Sequence, residues 1–145
     1  MRAAVRVHVC VRERSEVLRV KQIYHGSEDE EQAAVFEWAA LMEHKYPCLH
    51  IMYHVPNGEK RDKATAAKLK RMGVKPGVCD IVLPAARGGY HGLYIEMKVG
   101  DNKPSPEQKD FMRALDIEGY FVTLAYGAAE AIRLIERYVK GEERI

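Results

Sequence analysis

The chain has no apolar run that approaches the ~18 residues of a membrane span. Between Met1 and Val20, the charged residues Arg2, Arg6, Arg12, Glu13 and Arg14 are spread along the segment rather than gathered as a tip before an apolar block. The expectation is a soluble, cytoplasmic protein with no membrane association. Paired cysteines are missing as well: Cys10, Cys48 and Cys79 are odd in number, far apart and without CxxC spacing. This argues against a disulfide framework and a zinc site, and leaves buried or half-buried free thiols. Net charge is small, +2 from 23 basic and 21 acidic residues, so a nucleic-acid surface has to come from local clustering. There are no internal repeats and no low-complexity tract. What remains is 145 residues, 47% of them hydrophobic, enough for one domain with a single core.

Period-two alternation opens the chain. Val5, Val7, Val9 and Val11 alternate with Arg6, His8, Cys10 and Arg12, the pattern of a half-buried strand. A polar turn at Glu13 to Ser15 and a second mixed run from Glu16 to Tyr24 suggest an N-terminal β-hairpin over residues 1–26, ahead of a main domain over residues 27–145. The acidic group Glu28 to Glu31 then starts a helix, with Ser27 as N-cap and the carboxylates at the positive end of the dipole. Val35, Trp38, Ala39, Leu41 and Met42 carry it on toward Pro47. Leu49 to Val55 reads as a strand leading into the turn HVPNGEK, and Lys60 to Met72 as a basic helix ended by Gly73. Ile81 to Leu83 and Leu93 to Lys98 form a central strand pair around the loop PAARGGYHG. Ser105 caps a helix reaching Leu115, Tyr120 to Ala125 is an apolar strand, and Ala128 to Val139 is a closing helix striped by Ala131, Ile132, Ile135 and Val139. Such an order predicts an α/β fold, a central sheet with helices on both faces.

Chemistry concentrates between Gly77 and Gly100. Asp80 enters one apolar strand and Glu96 and Lys98 leave the other. Hydrolysis of a phosphodiester in a magnesium site needs hard oxygen ligands, a cation near the developing charge and room for water. Asp80 and Glu96 supply two carboxylates. In the ExK spacing Glu96 and Lys98 share one face of the strand, Met97 points into the core, and the Met97 carbonyl is free to face the ion. Lys98 then stands beside the metal, placed to hold the attacking water or to stabilise the phosphate. ExK alone is a weak signal, because solvated strand faces often carry Glu and Lys. Asp80, however, is set between Gly77-Val78-Cys79 and Ile81-Val82-Leu83, and a carboxylate in so apolar a run needs a partner. His54 and His91 lack ligand spacing and suit solvated or hydrogen-bonding roles.

The motifs EEQAAVFEWAALMEHKYP, HVPNGEKR, LKRMGVKPGVCDIVLP, GGYHGLYIEMKVG and SPEQKDFMRALDIEGYFV, followed by a helix ending in RYV, occur in this order. Together they resemble the VRR-NUC domain, a branch of the PD-(D/E)xK nuclease superfamily, in its small standalone phage and bacterial form. The resemblance runs from Glu28 to about Lys140 and leaves the N-terminal hairpin outside. One departure is Cys79, where family members commonly have proline before the motif aspartate. The resemblance implies a restriction-endonuclease-like core with a mixed sheet, and Mg2+ or Mn2+ held by Asp80, Glu96 and the Met97 carbonyl. It also implies a glutamate from the first helix near the metal. Glu31 lies on the stripe of Val35, Trp38 and Met42 and is the first choice; Glu28, one turn earlier on that stripe, is the second, and Glu30 points away. Gln108 matches a polar position beside the lysine, suited to orienting water or phosphate, with a plain surface role as the alternative. Asn57 and Gly58 match a turn that either contacts DNA backbone or only turns the chain. Lys60, Arg61, Lys63, Lys68, Lys70, Arg71 and Lys75 form the densest basic tract, suited to phosphate contact or to solubility.

The reading is a divalent-metal-dependent DNA endonuclease. Catalytic candidates are Glu31, Asp80, Glu96, Lys98 and Gln108, with Asn57, Lys60, Arg61, Lys68, Lys70 and Arg71 on the DNA. Standalone members of the family resemble Holliday-junction resolvases, so branched DNA and a homodimer are expected. The alternatives are a less selective flap or nick nuclease, and an inactive DNA-binding module of the same fold.

Overall fold

The computed structural model describes residues 26–56 and 62–142. The N-terminal hairpin, Asn57, Gly58, Lys60 and Arg61 lie outside the described residues. Helix α1 (Glu28–Met42) starts where expected: the Ser27 hydroxyl accepts from the Glu30 N–H while the Glu30 carboxylate accepts from the Ser27 N–H. This capping box satisfies two backbone donors that the helix itself leaves open. A 3-10 turn over Pro47–Ile51 follows, then a short strand β1, Tyr53–His54. The sequence predicts a strand over all of Leu49 to Val55. Pro47 at the first helical position and the bonds from the Leu49 N–H to the Tyr46 carbonyl and from the Met52 N–H to the Leu49 carbonyl curl the first half instead.

Asp62 caps the basic helix α2 (Lys63–Arg71), which buries none of its residues. Strands β2 (Ile81–Leu83) and β3 (Leu93–Lys98) pair antiparallel, with Ile81 opposite Ile95 and Leu83 opposite Leu93. Helix α3 (Pro106–Ile117) leads to β4 (Phe121–Tyr126), which pairs parallel with β3 from Leu93↔Phe121 to Lys98↔Tyr126. Helix α4 (Ala128–Val139) closes the domain. The sheet order β1-β2-β3-β4 is therefore mixed, antiparallel on one side of β3 and parallel on the other. The parallel step needs a crossover element, and α3 is that element.

The two faces of β3 have different neighbours. Leu93, Ile95 and Met97 join Val35 and Ala39 of α1 and Ala131 and Ile135 of α4 in one apolar cluster. Tyr94 and Glu96 point the other way, where Tyr94 meets the ring of Tyr120 and Glu96 meets α3. Tyr138 ties α4 to the end of β2, donating its hydroxyl to the Ala85 carbonyl at 2.7 Å. Cys79 is fully buried and burial pushes its thiol up to about 12, so it packs as an inert thiol. Among the described residues no helix is long and apolar enough to cross a membrane.

Candidate active site

Strand register brings the two acidic positions together. With Ile81 opposite Ile95, the next opposing pair along the ladder is Asp80 and Glu96. At that point β2 has ended and the backbone of β3 is left with a free side. Asp80 takes it up, its Oδ2 accepting the Met97 N–H at 2.8 Å. The neighbouring carbonyl of Lys98 points toward β4, where it accepts the Gly127 N–H at 3.0 Å. Successive peptide groups of a strand alternate in direction, so the Met97 carbonyl leaves on the Asp80 side, away from β4. The Met97 side chain packs in the core, as the ExK spacing requires.

Glu96 and Lys98 share the opposite face. Both are buried, Glu96 at 1% and Lys98 at 6% exposure, and Lys98 Nζ lies 2.7 Å from Glu96 Oε1. Gln108 reaches the same oxygen from the start of α3, donating its side-chain amide to Glu96 Oε1. Gln108 is also the third helical residue of a capping box, its Oε1 accepting the Ser105 N–H at 2.8 Å. Both ends of its amide are thus engaged, and the glutamine bonds the carboxylate rather than the lysine. Gly77 lets the approach to β2 pass directly over this turn. Its φ is +81°, and a Cβ there would stand 2.5 Å from the Glu107 carbonyl oxygen.

The helical glutamate at this cleft is Glu28, not Glu31. Glu28 Oε1 lies 3.8 Å from Lys98 Nζ, and Glu28 lines the cleft with Asp80, Glu96, Lys98 and Gln108. Glu31 is buried at 3% exposure and accepts the Ala128 N–H at 2.6 Å, which caps α4. The helical stripe correctly put both glutamates on one side of α1. What decides between them is the set of open N–H groups at the start of α4, a long-range partner that captures the second carboxylate. Of the other candidates, Lys68, Lys70 and Arg71 are exposed on the last turn of α2 and take no part in the cleft. His54 has a hydrogen-bonding role, its Nδ1 lying 2.8 Å from the Asp80 carbonyl oxygen.

The cleft holds about 270 Å³ and is also lined by Pro76, Gly77, Val78, Ser105 and Glu107. Its electrostatics follow from burial. Desolvation pushes the Glu96 carboxyl up to about 7, opposed by the Lys98 hydrogen bond and reinforced by the charge of Asp80. Desolvation likewise raises Asp80, opposed by the Met97 N–H and Lys98. For Lys98, burial acts downward, but the hydrogen bond and charge of Glu96, with Glu28 and Asp80, carry the ammonium above its ordinary value.

Glu96 Oε2 is buried and, among the described residues, has no hydrogen-bond partner. A carboxylate oxygen in that position is costly unless something electropositive meets it. A hard divalent cation shared by Glu96, Asp80 and the Met97 carbonyl fits that requirement. Among the described residues, no group of three His, Cys, Asp or Glu side chains forms a metal cage by itself.

The sequence profile of the VRR-NUC domain matches residues 15–129. The match starts upstream of Glu28, where the motif resemblance begins, and stops just inside α4, short of Lys140. Among solved structures, a VRR-NUC domain protein is similar at 38% sequence identity with a TM-score of 0.69, over 79% of this chain and 89% of that one. No curated protein matches the chain.

Proposed function

This chain belongs to the VRR-NUC domain family, and from that premise we propose that it is a divalent-metal-dependent endonuclease that hydrolyses phosphodiester bonds in branched DNA. Nuclease-type function follows from the family; metal, substrate shape and residue roles are the further reading. The observation that carries it is the Glu96 carboxylate, buried on the cleft with one oxygen held by Lys98 and Gln108 and the other, among the described residues, without a hydrogen-bond partner.

Asp80, Glu96 and the Met97 carbonyl would hold Mg2+ or Mn2+. Bound there, the ion supplies a Lewis acid for the scissile phosphate and lowers the pKa of water. Lys98 keeps its proton, because its carboxylate neighbours outweigh burial, and presents a fixed positive charge where negative charge builds on the phosphate. Gln108 holds the Glu96 carboxylate in one orientation. Glu28, at the mouth of the cleft, balances the lysine and is available to orient water. Lys68, Lys70 and Arg71 on α2 take phosphates away from the cut, a role that fixes the duplex without reading sequence.

Cutting in the manner of a Holliday-junction resolvase requires two equal sites, and a two-fold homodimer is the simplest way for so small a domain to supply them. The test is incubation of the purified protein with four-way junction, flap, nicked and linear duplex DNA, with and without magnesium. Paired symmetric incisions across the junction, only with the ion present, are the expected result. Cleavage of all four alike would replace resolution with unselective nuclease action, and binding without cleavage under any divalent ion would leave a binding module.

A further inference from the structure

A second depression lies against the catalytic cleft. It holds about 310 Å³ and is lined by Val55 and Pro56 after β1, Leu69 of α2, and Gly73, Val74, Lys75 and Val78 of the link into β2. Val78 lines both spaces, while Pro76 and Gly77 face the cleft and Val74 and Lys75 the depression. The link therefore forms a partition between a charged site and an apolar one. Exposed Lys68, Lys70 and Arg71 stand on the helix end beside it, and Lys75 is exposed on its lining.

We propose that this depression receives an unpaired nucleobase adjacent to the phosphate that is cut. The inference rests on the nuclease reading given above and adds the feature by which substrate is chosen. A phosphate held beside Lys98, in the cleft that Asp80 and Glu96 line, would bring its flanking nucleotide over Val78, which lines both spaces. A paired base at that point is held in its stack, whereas an unpaired one can turn its apolar faces into the space lined by Val55, Leu69 and Val74. Lys75 on the lining, and exposed Lys68, Lys70 and Arg71 on the helix turn that supplies Leu69, suit the sugar-phosphate chain that must follow the base. Apolar lining with a cationic border fits a nucleotide better than an apolar peptide, which would leave the lysines and arginine without partners. A branch point or bulge supplies such a base and intact duplex does not, so the proposal gives a physical source for structure preference.

The test uses the full chain carrying Glu96→Gln, so that DNA is bound but not cut, and duplexes with 2-aminopurine either paired or unpaired in a one-nucleotide bulge. Leu69→Ala with Val74→Ser removes apolar lining and leaves every basic side chain in place, with circular dichroism checking the fold. The expected result is a preference for the bulge of about tenfold, accompanied by a fluorescence change of the unpaired probe. Both should be lost in the pocket variant, with the salt dependence of binding retained. A bulge preference that survives the pocket change would overturn the proposal, as would equal affinity for bulged and paired DNA. If wild type still cuts duplex with magnesium in that case, the nuclease reading stands and only the base pocket falls; no binding to any DNA would defeat both. A pocket variant that changes solution mass but keeps its bulge preference would assign the depression to contact between two copies, and the base site would be wrong.

Discussion

Gly77 lies so close to the first turn of α3 that a Cβ built on it would stand 2.5 Å from the carbonyl oxygen of Glu107. The contact is with backbone, which cannot rotate aside, and the φ of +81° adds a conformation that side chains disfavour. Gly77→Ala should therefore destabilise the protein by about 1–3 kcal/mol, lowering the melting temperature by several degrees. Because the displaced turn carries Gln108, cleavage per folded molecule should also fall. An unchanged melting curve would show that the link and the helix do not meet as described.

Glu28 and Glu31 separate by the kind of loss they cause. Glu31→Gln weakens a buried cap on α4 and should cost about 1–2 kcal/mol in thermal or urea unfolding, with a smaller effect on the cleavage rate of the folded protein. Glu28→Gln changes a half-exposed residue at the mouth of the cleft. It should leave stability near wild type and slow cleavage. The opposite pattern would return Glu31 to the site.

Removing a carboxylate from the metal set should be close to total in effect. Asp80→Asn and Glu96→Gln each keep side-chain shape, so the fold should survive while magnesium-dependent cleavage falls by on the order of a hundredfold or more. Lys98→Ala acts differently, since it also strips a buried carboxylate of its ion pair, a change that costs about 3–5 kcal/mol when the partner stays charged. Glu96 avoids that cost by taking a proton. The variant should therefore cut slowly and, at neutral pH, bind the ion less tightly than wild type, as isothermal titration would read. Near wild-type turnover in any of the three would remove that residue from the chemistry.

Glu96 also imposes a pH dependence opposite in sign to that of an ordinary ion-paired carboxylate. Its folded-state value is raised from 4.5 to about 7, so between those values the folded protein holds more protons than the unfolded chain. The stability linked to this residue is full below the unfolded value, declines as pH climbs through the window, and levels off above the folded value. Asp80, also raised by burial, acts in the same direction. Melting curves in EDTA should show wild type losing stability relative to Glu96→Gln between pH 4.5 and about 7. A difference that grows in favour of wild type across that range would contradict the raised value.

Local signals made much of this readable from the amino acids. Strand β3 and helix α4 fall at Leu93–Lys98 and Ala128–Val139 as their apolar spacing predicts, and Ser27 and Ser105 both cap the helices assigned to them. Partners that lie far along the chain leave no such local signal. Periodicity gave Glu28 and Glu31 one face of α1 but not the distance to Lys98 or to the Ala128 N–H, which are set by packing of α1 against β3 and α4. Gln108 was legible as a site candidate from its motif, while its second bond, to Ser105, needed the cap geometry. The curl at Pro47–Ile51 was hidden because Leu49, Ile51 and Tyr53 suit a strand as well as a turn. Val78 is legible only as part of an apolar run: a valine there has no chemical signature, and only the two spaces on either side give it meaning.

The bond from Gln108 to Glu96 couples the opening of a helix turn to the charge of a strand residue. Gln108 belongs both to the opening turn of α3 and to the side-chain set around a strand residue, so local opening of that turn and the state of Glu96 are linked equilibria. When Glu96 is ionised, the donated amide is held firmly and the turn opens less often; when Glu96 takes a proton, the grip slackens. Deuterium uptake at the backbone amides of the first turn of α3 should slow as pH-corrected ionisation of Glu96 proceeds. A helix start that carries no charge of its own at Gln108 thereby reports the charge of a carboxylate on a neighbouring strand.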